Sequence, residues 1–421
     1  MIKLAYGALW VFVFSLPWEA LTTSGGVAIV SRLTGMLALG LALAAALISG
    51  RVRRWHLLHT AALLFVIWVG FGLFIAHPQD IPRKFYTFIQ LFLMLWMIWE
   101  LAPSRSRQRG LLTAYVFGAY VAALATIVLS RREAGALHRF AAGGGDPNDL
   151  AMTLGLALPM AWYLGMTYRQ PLLRWVCRAY LPVGLLAIGL TGSRGGMLAS
   201  TVALAFVPLS MTKLSAGRMV TAIAMLGISG ALAVAYVPKT IVERLSTTTT
   251  EVEDLSIGGR FKLWRAGMHV FAERPVVGYG TSTFKQAITP ELGGMAQVAH
   301  NSYVSVLVEE GLVGFVLYAL MFIAVFVAVL DLPPFERRFA LVLMAALCVA
   351  MAPLTWEDHK PVWFILAALL GMAKARVEWT SRAVRQPRVL RVAPMGEPPV
   401  PARSFEPLAR RGRAADRDLR G

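Results

Sequence analysis

Apolar residues run in blocks along this chain, without the alternation of a half-buried strand or the single stripe of a surface helix. Pro, Gly, Arg and Lys mark the block edges. Reading between them gives segments near 5–20, 27–49, 57–76, 84–101, 111–130, 150–168, 174–191, 195–211, 218–237, 302–330, 338–355 and 361–375. Most approach the roughly 18–25 residues that carry a helix across a bilayer core, where each backbone group must find its partner within the helix. The pattern predicts an all-α polytopic membrane protein with about 12 transmembrane helices. No block of 20–50 residues repeats, and no matching pair of interrupted spans recurs in two halves, as a transporter built on inverted repeats would require.

Charge gives these spans a sidedness. Lys3, then Arg51, Arg53 and Arg54, then Arg105, Arg107 and Arg109 fall in alternate connectors. Arg169, Arg174 and Arg178, Lys213 and Arg218, and Arg337 and Arg338 continue the alternation. With the twelve Lys and Arg beyond Met372, one face holds 26 of the 41 cations. Cytoplasmic loops carry that excess. An even number of spans then puts both termini in the cytoplasm and turns the loops around Asp80, Asp146, Arg194, 238–301 and Trp356–Lys360 outward. The expected organisation is 1–237, nine spans; 238–301, an outer loop; 302–375, three spans; and 376–421, a basic disordered tail. Lys3 and the apolar run to Pro17 read as a retained first helix, with no clean small-x-small cleavage site behind it.

Composition agrees. Hydrophobic residues make up 57% of 421 and charged ones 15%, too little polar surface for a soluble domain. The net charge of +18 is no sign of nucleic acid, because so much of it sits in the Pro- and Arg-rich tail. Cys177 and Cys348 lie in different apolar blocks and offer neither metal-ligand spacing nor an evident disulfide. In the outer loop, "STTTTEVEDLS" (246–256) reads as a mobile connector. Phe261, Trp264, Met268 and Phe271 fall at helical spacing and predict a short amphipathic helix lying on the outer membrane surface.

Chemistry concentrates at the outward edges of the spans. In "AHNSYVSVLVEEGLVGF" (Ala299–Phe315), His300 and Asn301 open an apolar helix that carries Glu309 and Glu310. A neutral imidazole there is a good proton acceptor, although His300 could also simply start the helix with Asn301 capping it. Carboxylates inside an apolar span are costly and usually have a purpose. In "LTGSRGGMLA" (190–199), Ser193 suits an N-cap, the glycines let backbone amides approach a ligand, and Arg194 can grip a phosphate, or else snorkel to headgroups. In "GGGDPNDLAM" (143–152), Asp146, Pro147 and Asp149 are explained by capping and the helix dipole alone. Arg260 and Arg265 flank "FKLW" and point in different directions on a helix, so one of them at most aims into a site. His269 reads as structural, and Glu357, Asp358 and His359 read as a span-edge charge cluster sooner than a metal trio. No Walker A loop, HExxH, GxSxG or CxxC occurs, and the one D-x-D, Asp416 and Asp418, falls in the tail.

Taken together, "GDPNDLA", "TGSRGG", "GRFKLW…ERPVVGYGTSTF" and "HNSYVSVLVEEGLVG", over roughly residues 140–320, resemble the O-antigen ligase/polymerase family of bacterial membrane glycosyltransferases. The resemblance implies a GT-C-like fold in the inner membrane and a donor glycan on undecaprenyl pyrophosphate presented at the periplasmic face. It implies neither cofactor nor metal. His300 matches the family's essential histidine, Arg194 its arginine after the short turn, and Arg265 or Arg260 its loop arginine, with Asn301, Glu310 and Asp146 as support. In the ligase branch the acceptor is a sugar hydroxyl of lipid A core, and in the polymerase branch it is another lipid-linked repeat. The fifteen remaining cations on the outer face favour the anionic acceptor, hence the ligase. A flippase is the reading from another class, but transporters place ionisable groups at mid-membrane.

Overall fold

The computed structural model describes residues 1–22, 29–50, 52–76, 82–132, 139–211, 216–246 and 257–385. Arg51, Asp80 and Lys213 of the charge pattern, residues 247–256 of the expected connector and 386–421 of the basic tail, with Asp416 and Asp418, lie outside them. Two compact units divide the chain, Met1–Thr380 and Ser381–Gly421, and only a helix end of the second is described.

Among the described residues sixteen α-helices follow in order: α1 Ile2–Ser15, α2 Ile29–Ser49, α3 Leu57–Ala76, α4 Arg83–Leu101, α5 Arg105–Arg132, α6 Pro147–Thr167, α7 Pro171–Thr191 and α8 Arg194–Leu204. Then come α9 Phe206–Leu209, α10 Ala216–Tyr236, α11 Lys239–Ser246, α12 Ile257–Glu273, α13 Phe284–Leu292, α14 Ser302–Leu330, α15 Pro334–Met351 and α16 Lys360–Arg385. There is no strand among the described residues. Nine stretches of these residues are long and apolar enough to cross a membrane, in α1 to α7, α10 and α14. The other three expected spans are helices too. The one beginning at Arg194 is short, α15 opens on Glu336, Arg337 and Arg338, and α16 carries basic residues from Lys374 onward.

The sequence explains which helix takes the centre. From Leu150 to Gly165 every residue of α6 is buried, as befits a helix apolar on all sides. It packs against α5, α7, α8 and α15, while α14 packs on α3 and α15. Asp146 caps α6 by accepting from the Asn148 amide at 2.7 Å, and Pro147 takes the first helical position, where a missing N–H costs nothing.

α12, α13 and the start of α14 build a second, smaller core around Leu263, Ala266, Val270, Phe284 and Ile288. This corrects the expected face of α12. Trp264 and Phe271 do pack on this core, but Phe261 and Met268 stay exposed, because the buried stripe runs Leu263–Ala266–Val270. Gly267 lets Val304 approach, since a Cβ there would stand 2.9 Å from it.

α14 is broken at Gly311, which sits at φ 64° and ψ −169°, a conformation open essentially to glycine alone. Five backbone groups around the break find partners outside the helix. The carbonyls of Val308 and Glu309 accept from the amides of Tyr279 and Gly280 at 2.9 and 2.8 Å, and Glu310 O accepts from the Trp68 indole at 2.8 Å. On the far side, the amides of Leu312 and Val313 donate to the carbonyls of Pro275 and Val276. A Cβ on Gly311 would lie 2.3 Å from Val276 O, so Gly311→Ala meets both strain and a clash. Its expected cost is about 1–3 kcal/mol or more. Thermal unfolding of purified protein, with limited proteolysis between Pro275 and Phe284, measures it, and a variant as stable and resistant as the parent would contradict this account.

Candidate functional site

Where α14 begins, Asn301 accepts from the amides of Tyr303 and Val304 at 2.9 and 3.1 Å and so caps the helix. The preceding residue, His300, is held at φ 45°, a left-handed conformation rare outside glycine. What holds it there is α12: the Trp264 indole donates to Ala299 O at 2.9 Å. The motif tryptophan thus anchors the segment that presents the histidine. The His300 ring makes no hydrogen bond to the described residues. Half-burial, and then the Arg260 guanidinium, hold its pKa below the ordinary 6.5, while Asp146 and Asp149 pull the other way. Such an imidazole is neutral near pH 7 and has a lone pair to offer.

Trp264 also separates the two loop arginines. Arg260 lies one helical turn before it, so it shares the anchored face, is half-buried, and acts electrostatically on His300. Its own pKa is lowered by burial against the opposing pull of Asp146. Arg265 is exposed on another face of α12. Asp146 is therefore both the cap of α6 and a carboxylate whose charge reaches Arg260.

At the short turn between α7 and α8, the glycines do something other than admit a ligand. Gly192 closes α7 at φ 56°. A Cβ on Gly196 would stand 2.3 Å from that of Ala151, and one on Gly195 2.9 Å from Pro353. These two glycines let the start of α8 lie against α6 and the loop after α15. Ser193 accepts from the Gly196 amide at 3.1 Å and donates to Asn148 Oδ1 at 2.9 Å. Arg139 donates to the same Asn148 oxygen at 2.6 Å and to Thr191 O at 2.9 Å. Arg194, first residue of α8 and half-exposed, stands at this junction of helix N-termini. Arg139 went unread in the sequence, where a lone arginine in a loop carries no pattern.

The loop between α15 and α16 ties the parts together. Ser302 donates to Leu354 O at 2.8 Å and accepts from the Trp356 amide at 2.7 Å, and the Trp356 indole donates to Asp149 at 3.0 Å. Asp149, read from sequence only as a first-turn charge, thus links α6 to the segment around His300. His359 lies 3.2 Å from Asp358 and 3.7 Å from Asp149. Desolvation opposes a charge on it, but those two carboxylates outweigh it and push its pKa up to about 10. Glu357 turns the other way, to Lys84 and Ser305 at 2.6 and 2.7 Å, so the three acidic and imidazole side chains do not converge. Among the described residues no group of three His, Cys, Asp or Glu is placed to hold a metal ion. His269, read as structural, pairs with Glu291 and so links α12 to α13.

The raised pKa of His359 has a measurable consequence. A histidine that gains carboxylate partners on folding contributes stability that is complete below about 6.5 and is lost as pH rises from there towards about 10. Melting temperatures of the wild type should fall over that window, and the fall should flatten in His359→Gln. An unchanged slope in the variant would disprove the pairing.

Residues 179–319 match the family model described as O-antigen ligase. The chain carries an O-antigen ligase family domain. No curated protein matches the chain. The family domain takes in Arg194, Arg260, His300 and the α14 break, whereas Asp146, Asp149 and the Trp356–His359 loop come from outside it.

Within the family domain, the paired glutamates of α14 hold the loop Pro275–Phe284 in place. Glu309 accepts from Lys84 at 2.8 Å and from the amides of Ser282 and Phe284 at 3.0 and 3.3 Å. Glu310 accepts from the Thr281 hydroxyl at 2.9 Å. Val69 O lies 2.7 Å from the same hydroxyl, whose single hydrogen serves one oxygen at a time, and the two contacts clamp the loop between α3 and α14. Glu310 therefore supports this loop and not His300 directly. Lys84, with carboxylates on two sides, neutralises charge that would otherwise be buried alone.

Proposed function

We propose that this protein transfers a glycan from a polyprenyl pyrophosphate carrier, undecaprenyl pyrophosphate in the family, to a sugar hydroxyl of lipid A core. The observation that carries this reading is His300, half-buried at the start of α14 with no hydrogen bond to its ring among the described residues, within electrostatic reach of the Arg260 guanidinium. His300 takes the proton of the acceptor hydroxyl as its oxygen attacks the anomeric carbon. The bond from that carbon to the pyrophosphate oxygen breaks on the opposite face, so the configuration inverts. The departing pyrophosphate keeps the electron pair, and Arg194 and Arg260 stabilise its growing charge, a task fixed guanidiniums perform without a metal ion. The imidazolium then gives its proton to solvent.

The alternation of basic connectors supports twelve spans in the inner membrane, with both termini cytoplasmic and His300 facing the periplasm. The polymerase reading differs only in the acceptor. Purified protein mixed with lipid-linked glycan and either lipid A core or a second lipid-linked glycan distinguishes them. Transfer to lipid A core, unchanged by EDTA, is the expected result. Elongation of the lipid-linked glycan alone would make the protein a polymerase, and loss of transfer in EDTA restored by one divalent ion would overturn the metal-free chemistry.

A further inference from the structure

Transfer between two lipid-borne molecules needs two binding places, and His300, Arg194 and Arg260 account for one. Asp146 and Asp149, whose charges act on His300, also line a cavity of about 720 Å³ that none of those three residues lines. Its volume falls within the roughly 300–1,000 Å³ of sites that bury a ligand. The character of the wall changes along it. At one part stand Asp146, Asp149 and Asp358, with His359 between the last two, groups suited to hydrogen bonding with sugar hydroxyls. Elsewhere stand Arg32 and Arg83. Lys360, which lines the same space, is held by Glu19 at 2.6 Å and reaches Ser31 at 3.3 Å, but neither arginine has an ion pair among the described residues.

From Arg32 the cavity continues into an apolar groove of about 360 Å³ between α2 and α4, walled by Met36, Leu39, Leu91 and Met94. Arg32, Thr87, Gln90 and Lys360 line both spaces. The order is thus hydroxyl acceptors, then guanidiniums without acidic partners, then a slot for a hydrocarbon chain. One class of molecule has that sequence of parts: a phosphorylated glycolipid.

We propose that this cavity and groove bind the acceptor, an anionic glycolipid with its sugars on Asp146 and Asp149, its phosphate on Arg32 and Arg83, and a chain between α2 and α4. The inference rests on the transfer reading above. The donor's pyrophosphate is already assigned to Arg194 and Arg260, neither of which lines this cavity, so the cavity is left for the other lipid-borne substrate. A guanidinium fork suits the phosphate, gripping two of its oxygens at once.

The test uses the full chain in lipid nanodiscs, with lipid A carrying its core sugars as acceptor, native and dephosphorylated, and lipid-linked glycan as donor. In Arg32→Gln/Arg83→Gln, the KM for the phosphorylated acceptor should rise about tenfold or more, the loss of at least one charge-assisted hydrogen bond. The KM for the donor should stay near the wild-type value, and the dephosphorylated acceptor should no longer distinguish variant from parent. Gln90→Trp, which narrows the junction with the groove, should raise the same KM. An acceptor bearing a diazirine in its acyl chain should label peptides of α2 and α4. A rise in the donor KM instead, or an equal effect on both acceptors, would overturn the assignment. Labelling of α2 and α4 in a protein that transfers nothing would defeat the transfer reading and keep the lipid site. Transfer without such labelling would do the reverse.

Discussion

His300→Gln and His300→Ala should each transfer glycan about 10²–10⁴-fold more slowly than the wild type, the usual contribution of a general base. Both should still insert, fold and retain the lipid-linked donor. The residue's own geometry sharpens the test. His300 sits in a left-handed conformation that glycine adopts without strain. His300→Gly should therefore be at least as stable as the parent and just as inactive, a combination that no capping role would produce. The rate should also fall with acid as the imidazole takes a proton. Because burial and Arg260 hold its pKa below 6.5, the fall should begin below that pH and the plateau should extend into mildly acid solution. Rates of purified protein across pH 4.5–8 with saturating donor would show it, and a His300→Gln variant keeping most of its activity would end the base assignment.

Arg260→Lys and Arg194→Lys should each lower kcat by about 10²–10³-fold, as removal of one donor to a developing negative charge does elsewhere. Lysine keeps the charge but not the planar fork that holds two phosphate oxygens, so the substitution isolates geometry from charge. Arg265→Lys, on the exposed face of α12, should transfer at nearly the parent rate. If instead Arg265→Lys were crippled and Arg260→Lys active, the face of α12 turned to the substrate would be the opposite of the one that Trp264 anchors.

Spans and caps were legible in the sequence because they depend on neighbours along the chain. Asp146 before Pro147, Ser193 before the glycines and Asn301 after His300 each cap the helix that follows, as residue type and position imply. Contacts between distant segments were not legible. That Asp149 would meet Trp356, or Lys84 the carboxylates of Glu309 and Glu357, depends on how α4, α6, α14 and the last loop are brought together, which no local pattern states. The proposal of Arg260 over Arg265 rests on one indole reaching Ala299 O, a contact that no local pattern states either. The glycines after Ser193 misled, because close helix packing and close ligand approach ask for the same residue. The three expected spans at α8, α15 and α16 are not among the nine helices of the described residues long and apolar enough to cross a membrane, because short or charged ends blur the edge between span and connector.

Beside the carboxylates of Glu309 and Glu310, the joint at Gly311 is written in main-chain atoms: four backbone bonds tie the stretch Pro275–Gly280 to the broken helix, and the Trp68 indole of α3 takes the Glu310 carbonyl. Its tolerance of change is therefore the inverse of what hydropathy suggests. Val276 and Val277 present exposed side chains and can be exchanged for most residues with little harm. Gly278, Gly280 and Gly311, which have no side chain to conserve, sit at positive φ with backbone carbonyl or amide atoms within 2.6 Å of any added Cβ. A saturation-mutagenesis map of this region would show silent valines beside nearly immutable glycines, and drifting homologues would keep the spacing of those glycines long after the rest of the loop had lost its resemblance.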